Sequence, residues 1–414
     1  MDLLKFFTAG NVDDGKSTLI GRLLYDSNSI STDIIETLTK QSKTKGLNAD
    51  IDLALLTDGL RAEREQGITI DVAYKYFSTT KRKFIIADTP GHIQYTRNMF
   101  TGASNADLAI ILIDARNGIT EQTKRHTIIS AILGIPKVLV CVNKMDLVGY
   151  DENAYNNIVA DYVSFTRKLN ISSIDFIPVS ALAGDNVVEK SKSMQWYNGL
   201  SLLNYLETVD VIKHQALDNA RFQVQYVIRP QTNELHDYRG FAGTLQSGSL
   251  TKGESVTVLP SGIETEIVKI EKNQVEVEIA KAGDPIIIHL KDDIDISRGA
   301  TFVPTNQLPK LDKSIDATIC WMDNKPFQNG QKLLLQQGSF RTKAVLKEII
   351  AGVDIHTFEE TIASNEIKLN DLAKVNIKTA ENLSFDSYSD NHFTGAFILI
   401  NENTNGTVAA GIIH

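Results

Sequence analysis

The chain has 414 residues, with 42 Lys plus Arg against 51 Asp plus Glu, a formal net charge of −9. That length exceeds one compact core and suits about two to four domains, while 42% hydrophobic and 22% charged residues are ordinary for a globular protein. No apolar run approaches the roughly 20 residues that span a bilayer, so no membrane association is expected, and the acidic balance argues against a nucleic-acid partner, which a basic surface would announce.

The first five residues, Met1-Asp2-Leu3-Leu4-Lys5, lead directly into an apolar run at 3–8, without the basic region or cleavage site of a signal peptide. The two cysteines, Cys141 and Cys320, lie far apart in apolar runs with no metal-ligand spacing, and both read as reduced core residues. A cytoplasmic location is expected from these features.

Residues 3–8 suit a buried strand and residues 18–24 a helix. Between them stands Gly10-Asn11-Val12-Asp13-Asp14-Gly15-Lys16-Ser17, the G-x-x-x-x-G-K-S phosphate loop, followed by Thr18. Strand, loop and helix in that order let successive backbone N–H groups form an anion nest at a helix N-terminus. Lys16 would then reach the β and γ phosphates and the Ser17 hydroxyl a Mg²⁺ ion.

Residues 25–66 are polar and helix-prone, and end in the charged stretch Arg61-Ala62-Glu63-Arg64-Glu65-Gln66-Gly67. Such a segment can order on a ligand and release when the ligand changes. It runs into Gly67-Ile68-Thr69-Ile70, where Thr69 would complete the Mg²⁺ shell only in the presence of a γ-phosphate, which makes it the switch. Two strands are expected at 70–77 and 83–87, joined by a turn at 78–81. Strands at 108–113, 138–142 and 176–179 then alternate with helices at 123–133, 155–169 and 200–206. Continuous apolar strands between helices predict an α/β domain with a mostly parallel sheet and helices on both faces.

The pattern changes after about residue 210. Short β-rich runs separated by glycine turns (222–228, 240–245, 255–259, 285–290) predict a barrel. Pro304 and Pro309 bracket a linker, and a second β-rich set follows at 317–321, 332–336, 342–349, 372–377, 396–399 and 407–413. The expected domains are therefore 1–210, an α/β phosphate-loop domain, and two all-β barrels, 211–308 and 309–414.

Further motifs sit at the carboxyl ends of predicted strands, the edge where open α/β sheets bind ligands. Asp88-Thr89-Pro90-Gly91-His92 follows the strand 83–87. Asp88 can hold Mg²⁺ through a water, and the Gly91 N–H can meet a γ-phosphate. Asn143-Lys144-Met145-Asp146 follows 138–142. The Asp146 carboxylate can accept two N–H groups from guanine that adenine does not offer, so this motif selects GTP or GDP over adenine nucleotides. The Lys144 stem could lie along the base, and Ser180-Ala181-Leu182 would add backbone and hydroxyl contacts.

With these motifs in this order the chain resembles, over its whole length, the translation-factor class of GTPases typified by elongation factor Tu, in which a GTPase domain precedes two β-barrels. The resemblance implies that His92 positions the attacking water between Val12 and Ile68 as an apolar gate. It gives Lys16 and Thr69 catalytic roles beside His92, and Asp13 a monovalent cation. A closer resemblance is to the GTPase subunits of bacterial sulfate adenylyltransferase. It rests on Asp14, where elongation factors usually carry His, and on Asp58-Gly59-Leu60-Arg61-Ala62-Glu63-Arg64-Glu65-Gln66-Gly67-Ile68-Thr69-Ile70-Asp71-Val72-Ala73-Tyr74. Further support lies in Ile20-Gly21-Arg22-Leu23-Leu24, Trp196-Tyr197-Asn198-Gly199, Arg221-Phe222-Gln223-Val224 and Tyr238-Arg239-Gly240-Phe241. Asn11 departs from that family, which often has a smaller residue there.

This resemblance implies a GTP-hydrolysing subunit that drives ATP plus sulfate to adenosine 5′-phosphosulfate plus diphosphate. A single phosphate loop implies that adenylylation takes place on a small catalytic subunit in a heteromeric complex. The absence of a second phosphate loop in these residues sets the expectation of no fused adenylylsulfate kinase. The alternative from the broader class is a translation factor delivering aminoacyl-tRNA to the ribosome.

Overall fold

The computed structural model describes residues 2–27, 29–30, 53, 71–92, 96–103, 106–167, 169, 171, 173–210, 219–230, 238–328, 330–354, 360–361 and 366–414. The chain divides into two compact units near residue 211.

In the first unit, β1 (Asp2–Ala9), β2 (Ala73–Ser78), β3 (Arg82–Asp88), β4 (Leu108–Asp114), β5 (Lys137–Asn143) and β6 (Ser173–Pro178) form one sheet in the order β2-β3-β1-β4-β5-β6. All seven residues of β4 are buried, as are six of the seven in β5, so the centre of the sheet is covered on both faces. Every pairing from β3 through β6 is parallel, whereas β2 pairs antiparallel with β3. The turn between β2 and β3 is too short for a crossover. Thr79 closes it: its backbone N–H donates to the Arg82 carbonyl at 2.9 Å, and its hydroxyl accepts from the Arg82 N–H at 3.3 Å.

The helices are Lys16–Asp26, Thr96–Ala103, Glu121–Ile132, Glu152–Thr166 and Leu202–Thr208. Two begin before the first apolar residue of their periodic pattern because a polar cap sets the start. Thr120 accepts from the Thr123 N–H in a capping box, and Asp151 accepts from the N–H groups of Asn153 and Ala154, both at 3.2 Å. Leu19, Ile20, Leu23, Phe84, Ile110 and Leu139 share the core beneath the phosphate loop. Cys141 and Cys320 are both buried and free of disulfide bonds, and burial pushes the Cys141 thiol up to about 12. Among the described residues no helix is long and apolar enough to cross a membrane.

The second unit holds two closed, six-stranded antiparallel barrels. Arg221–Gln223, Gly240–Ser247, Ser255–Leu259, Ile263–Lys272, Pro285–Leu290 and Thr301–Pro304 make the first, closed by pairing of Ser255–Leu259 with Ile263–Lys272. The run expected as one strand at 222–228 is two. Between them the Val224 N–H donates to the Ala300 carbonyl and the Val224 carbonyl accepts from the Gly299 N–H, each at 2.8 Å, which diverts the backbone from its neighbour. The second barrel comprises Lys310–Trp321, Lys332–Gln337, Phe340–Val353, Leu372–Phe385, Ala396–Ile400 and Thr407–Ile413. Its core is built around fully buried Trp321 and Phe327, with ring centroids 5.3 Å apart.

A polar seam joins the barrels. The Arg221 guanidinium is buried and donates from Nε and Nη2 to the two carboxylate oxygens of Asp386, each at 2.9 Å. Its Nη1 donates to the Ala220 carbonyl at 2.9 Å and the Gln307 carbonyl at 2.8 Å. Thr394 Oγ1 donates to Asp386 at 2.6 Å, and the Gln223 amide binds the Gln337 carbonyl and the Ser339 N–H. The segment expected as a linker is thereby pinned: Gln307 also accepts from the Ala220 N–H at 3.0 Å.

Candidate functional site

The phosphate loop leaves the carboxyl end of β1 and enters the helix Lys16–Asp26 through Gly15, whose φ of 93° is a left-handed conformation. A Cβ at Gly15 would also stand 2.5 Å from Asn143 Nδ2. The loop is braced from within. The buried Asp14 carboxylate accepts from the Asn11 N–H at 2.6 Å, and the Asn11 side chain accepts from the Val12 N–H at 2.9 Å. Burial pushes the Asp14 carboxyl up to about 6, against the downward pull of the Asn11 N–H and of Lys16.

Lys16 is buried and donates to the Gly10 carbonyl at 3.2 Å. Burial lowers its pKa, while the charges of Asp88, Asp14 and Asp13 act the other way. The loop after β3 reaches the same point. A Cβ at Gly91 would lie 2.4 Å from the Gly10 carbonyl oxygen and 2.6 Å from Lys16 Nζ, so only glycine permits this approach. Asp88 is buried at the end of β3, and Thr8 Oγ1 donates to it at 3.4 Å. His92 follows Gly91 and is partly buried. Of the expected residues, Gly10, Asp13, Asp14, Asp88 and Gly91 are brought to the Lys16 ammonium, and the others of Gly10 to Thr18 and His92 lie on the same two segments. Thr69 and Ile68 lie outside the described residues.

The loops after β5 and β6 form the other half. Asn143 links three segments: its Nδ2 donates to the Asp14 carbonyl at 2.8 Å, and its Oδ1 accepts from the Ala181 N–H at 2.9 Å. Lys144, left-handed at φ 63°, donates to the Asp13 carbonyl at 2.5 Å and pairs with Asp114 at 2.9 Å. Ser180 Oγ donates to the Asp146 carboxylate at 2.6 Å and accepts from the Ala183 N–H at 3.2 Å. The Leu182 side chain is exposed, so what this residue offers is backbone.

Two residues of this arrangement escaped the motif reading. Asp114, at the end of β4, pairs with both Lys144 and Arg116. Although burial raises its pKa, the hydrogen bonds from Arg116 and Lys144 hold its carboxyl well below the usual carboxylate range. The edge rule applied to the other strands points to Asp114 as well. Arg22 donates to the carbonyls of Ala181, from Nε at 3.2 Å, and Leu182, from Nη2 at 2.5 Å.

A buried ammonium in the first turn of a helix calls for an anion. The Ser17 hydroxyl and the Asp88 carboxylate belong to the two segments that meet at Lys16, and both are oxygen donors of the kind Mg²⁺ takes. Among the described residues no group of three His, Cys, Asp or Glu could hold a metal ion. Mg²⁺ typically completes such a donor set with phosphate oxygens and water, so the residues fit the ion only together with a nucleotide.

The elongation factor Tu GTP binding domain family matches residues 1–224, and the GTP-eEF1A C-terminal domain-like family matches residues 314–414. Sulfate adenylyltransferase subunit 1 of Colwellia psychrerythraea is 49% identical over 414 residues, covering 100% of this chain and 88% of its own length. The protein of the same name from Bacteroides fragilis is 48% identical over 100% of this chain and 86% of its own. The bifunctional enzyme CysN/CysC of Mycobacterium tuberculosis is 48% identical over 99% of this chain and 67% of its own. Among solved structures, the S. cerevisiae Ski7 GTPase-like domain bound to GTP superposes with a TM-score of 0.53 at 18% identity, covering 100% of this chain and 97% of that one, a likeness of fold.

Proposed function

The chain belongs to the sulfate adenylyltransferase subunit 1 family, built on the elongation factor Tu GTP binding domain, and from that membership we propose that it is the GTP-hydrolysing subunit of the enzyme. In this reading GTP hydrolysis drives ATP and sulfate to adenosine 5′-phosphosulfate and diphosphate on a separate, smaller catalytic subunit. The observation that carries it is near-50% identity to proteins of that name over the whole chain rather than over the GTPase domain alone.

The site residues take these roles within the domain plan 1–210, 211–308 and 309–414. The loop Gly10 to Thr18 cradles the phosphates through those of its N–H groups that are not already bonded within the loop, and Lys16 neutralises the charge that builds between the β and γ phosphates. Ser17, Asp88 and Thr69 hold Mg²⁺, which supplies charge neutralisation at the phosphate oxygens when bound. Thr69 lets go once the γ-phosphate is lost. His92 orients the attacking water. Asp146 receives the guanine N–H groups, Lys144 lies along the base, and Asn143, Ser180, Ala181 and Leu182 complete its pocket. Asp13 faces a monovalent cation.

The test is reconstitution. The chain is mixed with a small adenylyltransferase subunit, ATP, sulfate and Mg²⁺, and diphosphate release is followed with and without GTP. We expect at least tenfold more adenosine 5′-phosphosulfate with GTP. Formation that ignores GTP, or none from the pair, overturns the proposal, and tight salt-sensitive binding of aminoacyl-tRNA would replace it with the translation-factor reading.

A further inference from the structure

We propose that Arg22 is a positioning residue that fastens the base-contacting loop to the helix that begins at the phosphates, and so sets how long and how selectively a guanine nucleotide is held. This rests on the guanine-nucleotide reading of the site given above.

The loop at 180–183 follows β6 and belongs to no helix or strand. Its backbone must nonetheless hold still if it is to wall one side of a base pocket. The peptide at Ala181 is gripped at both ends: its N–H donates to Asn143 Oδ1 at 2.9 Å and its carbonyl accepts from Arg22 Nε at 3.2 Å. The next carbonyl, of Leu182, accepts from Arg22 Nη2 at 2.5 Å. Two adjacent carbonyls thus meet one planar fork, which a lysine cannot reproduce.

The fork is itself fixed. Arg22 Nη1 pairs with Asp26 Oδ1 at 3.5 Å, one turn along the same helix. The loop also packs against that pair at Gly184, where a Cβ would lie 3.4 Å from Asp26 Oδ2 and 3.6 Å from Arg22 Cδ. Arg22 lies six residues after Lys16, about 9 Å along the helix. One rigid rod therefore carries the phosphate nest at its start and the anchor of the base loop further on. Asn143 makes a second tie, from the Asp14 carbonyl to the Ala181 N–H. The span between the phosphate end and the base end is held by the protein before a ligand arrives.

The test uses the full chain and a fluorescent GDP, with dissociation followed after mixing with excess GDP, alongside GTP turnover and competition by ADP. For Arg22→Ala we expect dissociation about tenfold faster, the equivalent of one lost charge-assisted hydrogen bond. We also expect a similar loss in the preference for GDP over ADP, and a KM for GTP that rises far more than kcat falls. Arg22→Lys, which keeps the charge without the fork, should fall between Ala and wild type, and serves as the measured variant if Arg22→Ala does not fold. Dissociation within twofold of wild type in both variants overturns the inference. So does an equal loss of GDP and ADP binding with kcat, the mark of a general structural defect. Failure of the wild-type chain to bind GDP overturns instead the reading on which the inference rests.

Discussion

Buried charge is handled in opposite ways at the phosphate loop and at the seam between the barrels. At the seam Arg221 is answered in full, by two carboxylate oxygens of Asp386 and two backbone carbonyls, and Asp386 takes a further hydrogen bond from Thr394. At the phosphate loop a buried ammonium leans on the neutral carbonyl of Gly10, while a buried carboxylate close by is pushed up to about 6. Desolvating an ion without full compensation is costly. The molecule completes its own charges where the task is to hold two barrels together. At the phosphate loop Lys16 has the carboxylate charges of Asp88, Asp14 and Asp13 nearby but donates to a neutral carbonyl, a place that a phosphate oxygen could take.

The largest effect should come from breaking the completed side. Asp386→Ala strands a buried guanidinium and should cost about 3–5 kcal/mol of stability in denaturant unfolding. A loss under 1 kcal/mol would mean that the seam is solvated and the contrast is false.

Relieving the incomplete side should do the reverse. The folded Asp14 carboxyl titrates at about 6 against 3.8 unfolded. The native state therefore holds more protons between those values, and the ionised form weighs against folding in full above pH 6. That penalty falls away as the pH drops through 6 towards 4. Asp14→Asn, which can still accept from the Asn11 N–H, should raise the stability of the nucleotide-free chain at pH 8 by up to about 3 kcal/mol. The gain should vanish near pH 4, as read from melting curves over that range. A gain that does not change with pH would exclude ionisation as its cause.

Lys16→Met sharpens the comparison from the ligand's side. GDP affinity by calorimetry should fall about a hundredfold, while the melting temperature of the nucleotide-free chain holds or rises, because a desolvated cation has been removed. A drop in that temperature would place Lys16 with Arg221 as a structural charge. The smallest effect should be at Thr120→Ala, which touches neither region and removes a capping box worth about 1 kcal/mol.

The features readable from sequence are those written locally. The six apolar residues that open β4 and the run in β5 announce a covered sheet centre, and the phosphate loop declares itself by spacing. The rule that loops at carboxyl strand ends bind ligands brings Asp88, Asn143 and Ser180 to one edge before any contact is known. Partnerships made by strand order are harder to read. Asp114 meets Lys144 because β4 lies beside β5, and Arg22 meets the Ala181 carbonyl across 159 residues of sequence. Arg221 and Asp386 stand 165 residues apart, and nothing near either names the other. The break at Val224 is equally silent, since a distant backbone at 299–300 diverts an otherwise good strand.

The seam bears on how such chains could be exchanged by recombination. The stretch between Pro304 and Pro309 looks like a natural splice point, yet a hybrid joined there would inherit an arginine from one parent and its carboxylate from another. It would also have to match Gln307 to a foreign neighbour. Gene shuffling among relatives should therefore trade the barrel pair whole, and hybrids crossed between the barrels should be recovered only when both parents carry the same seam.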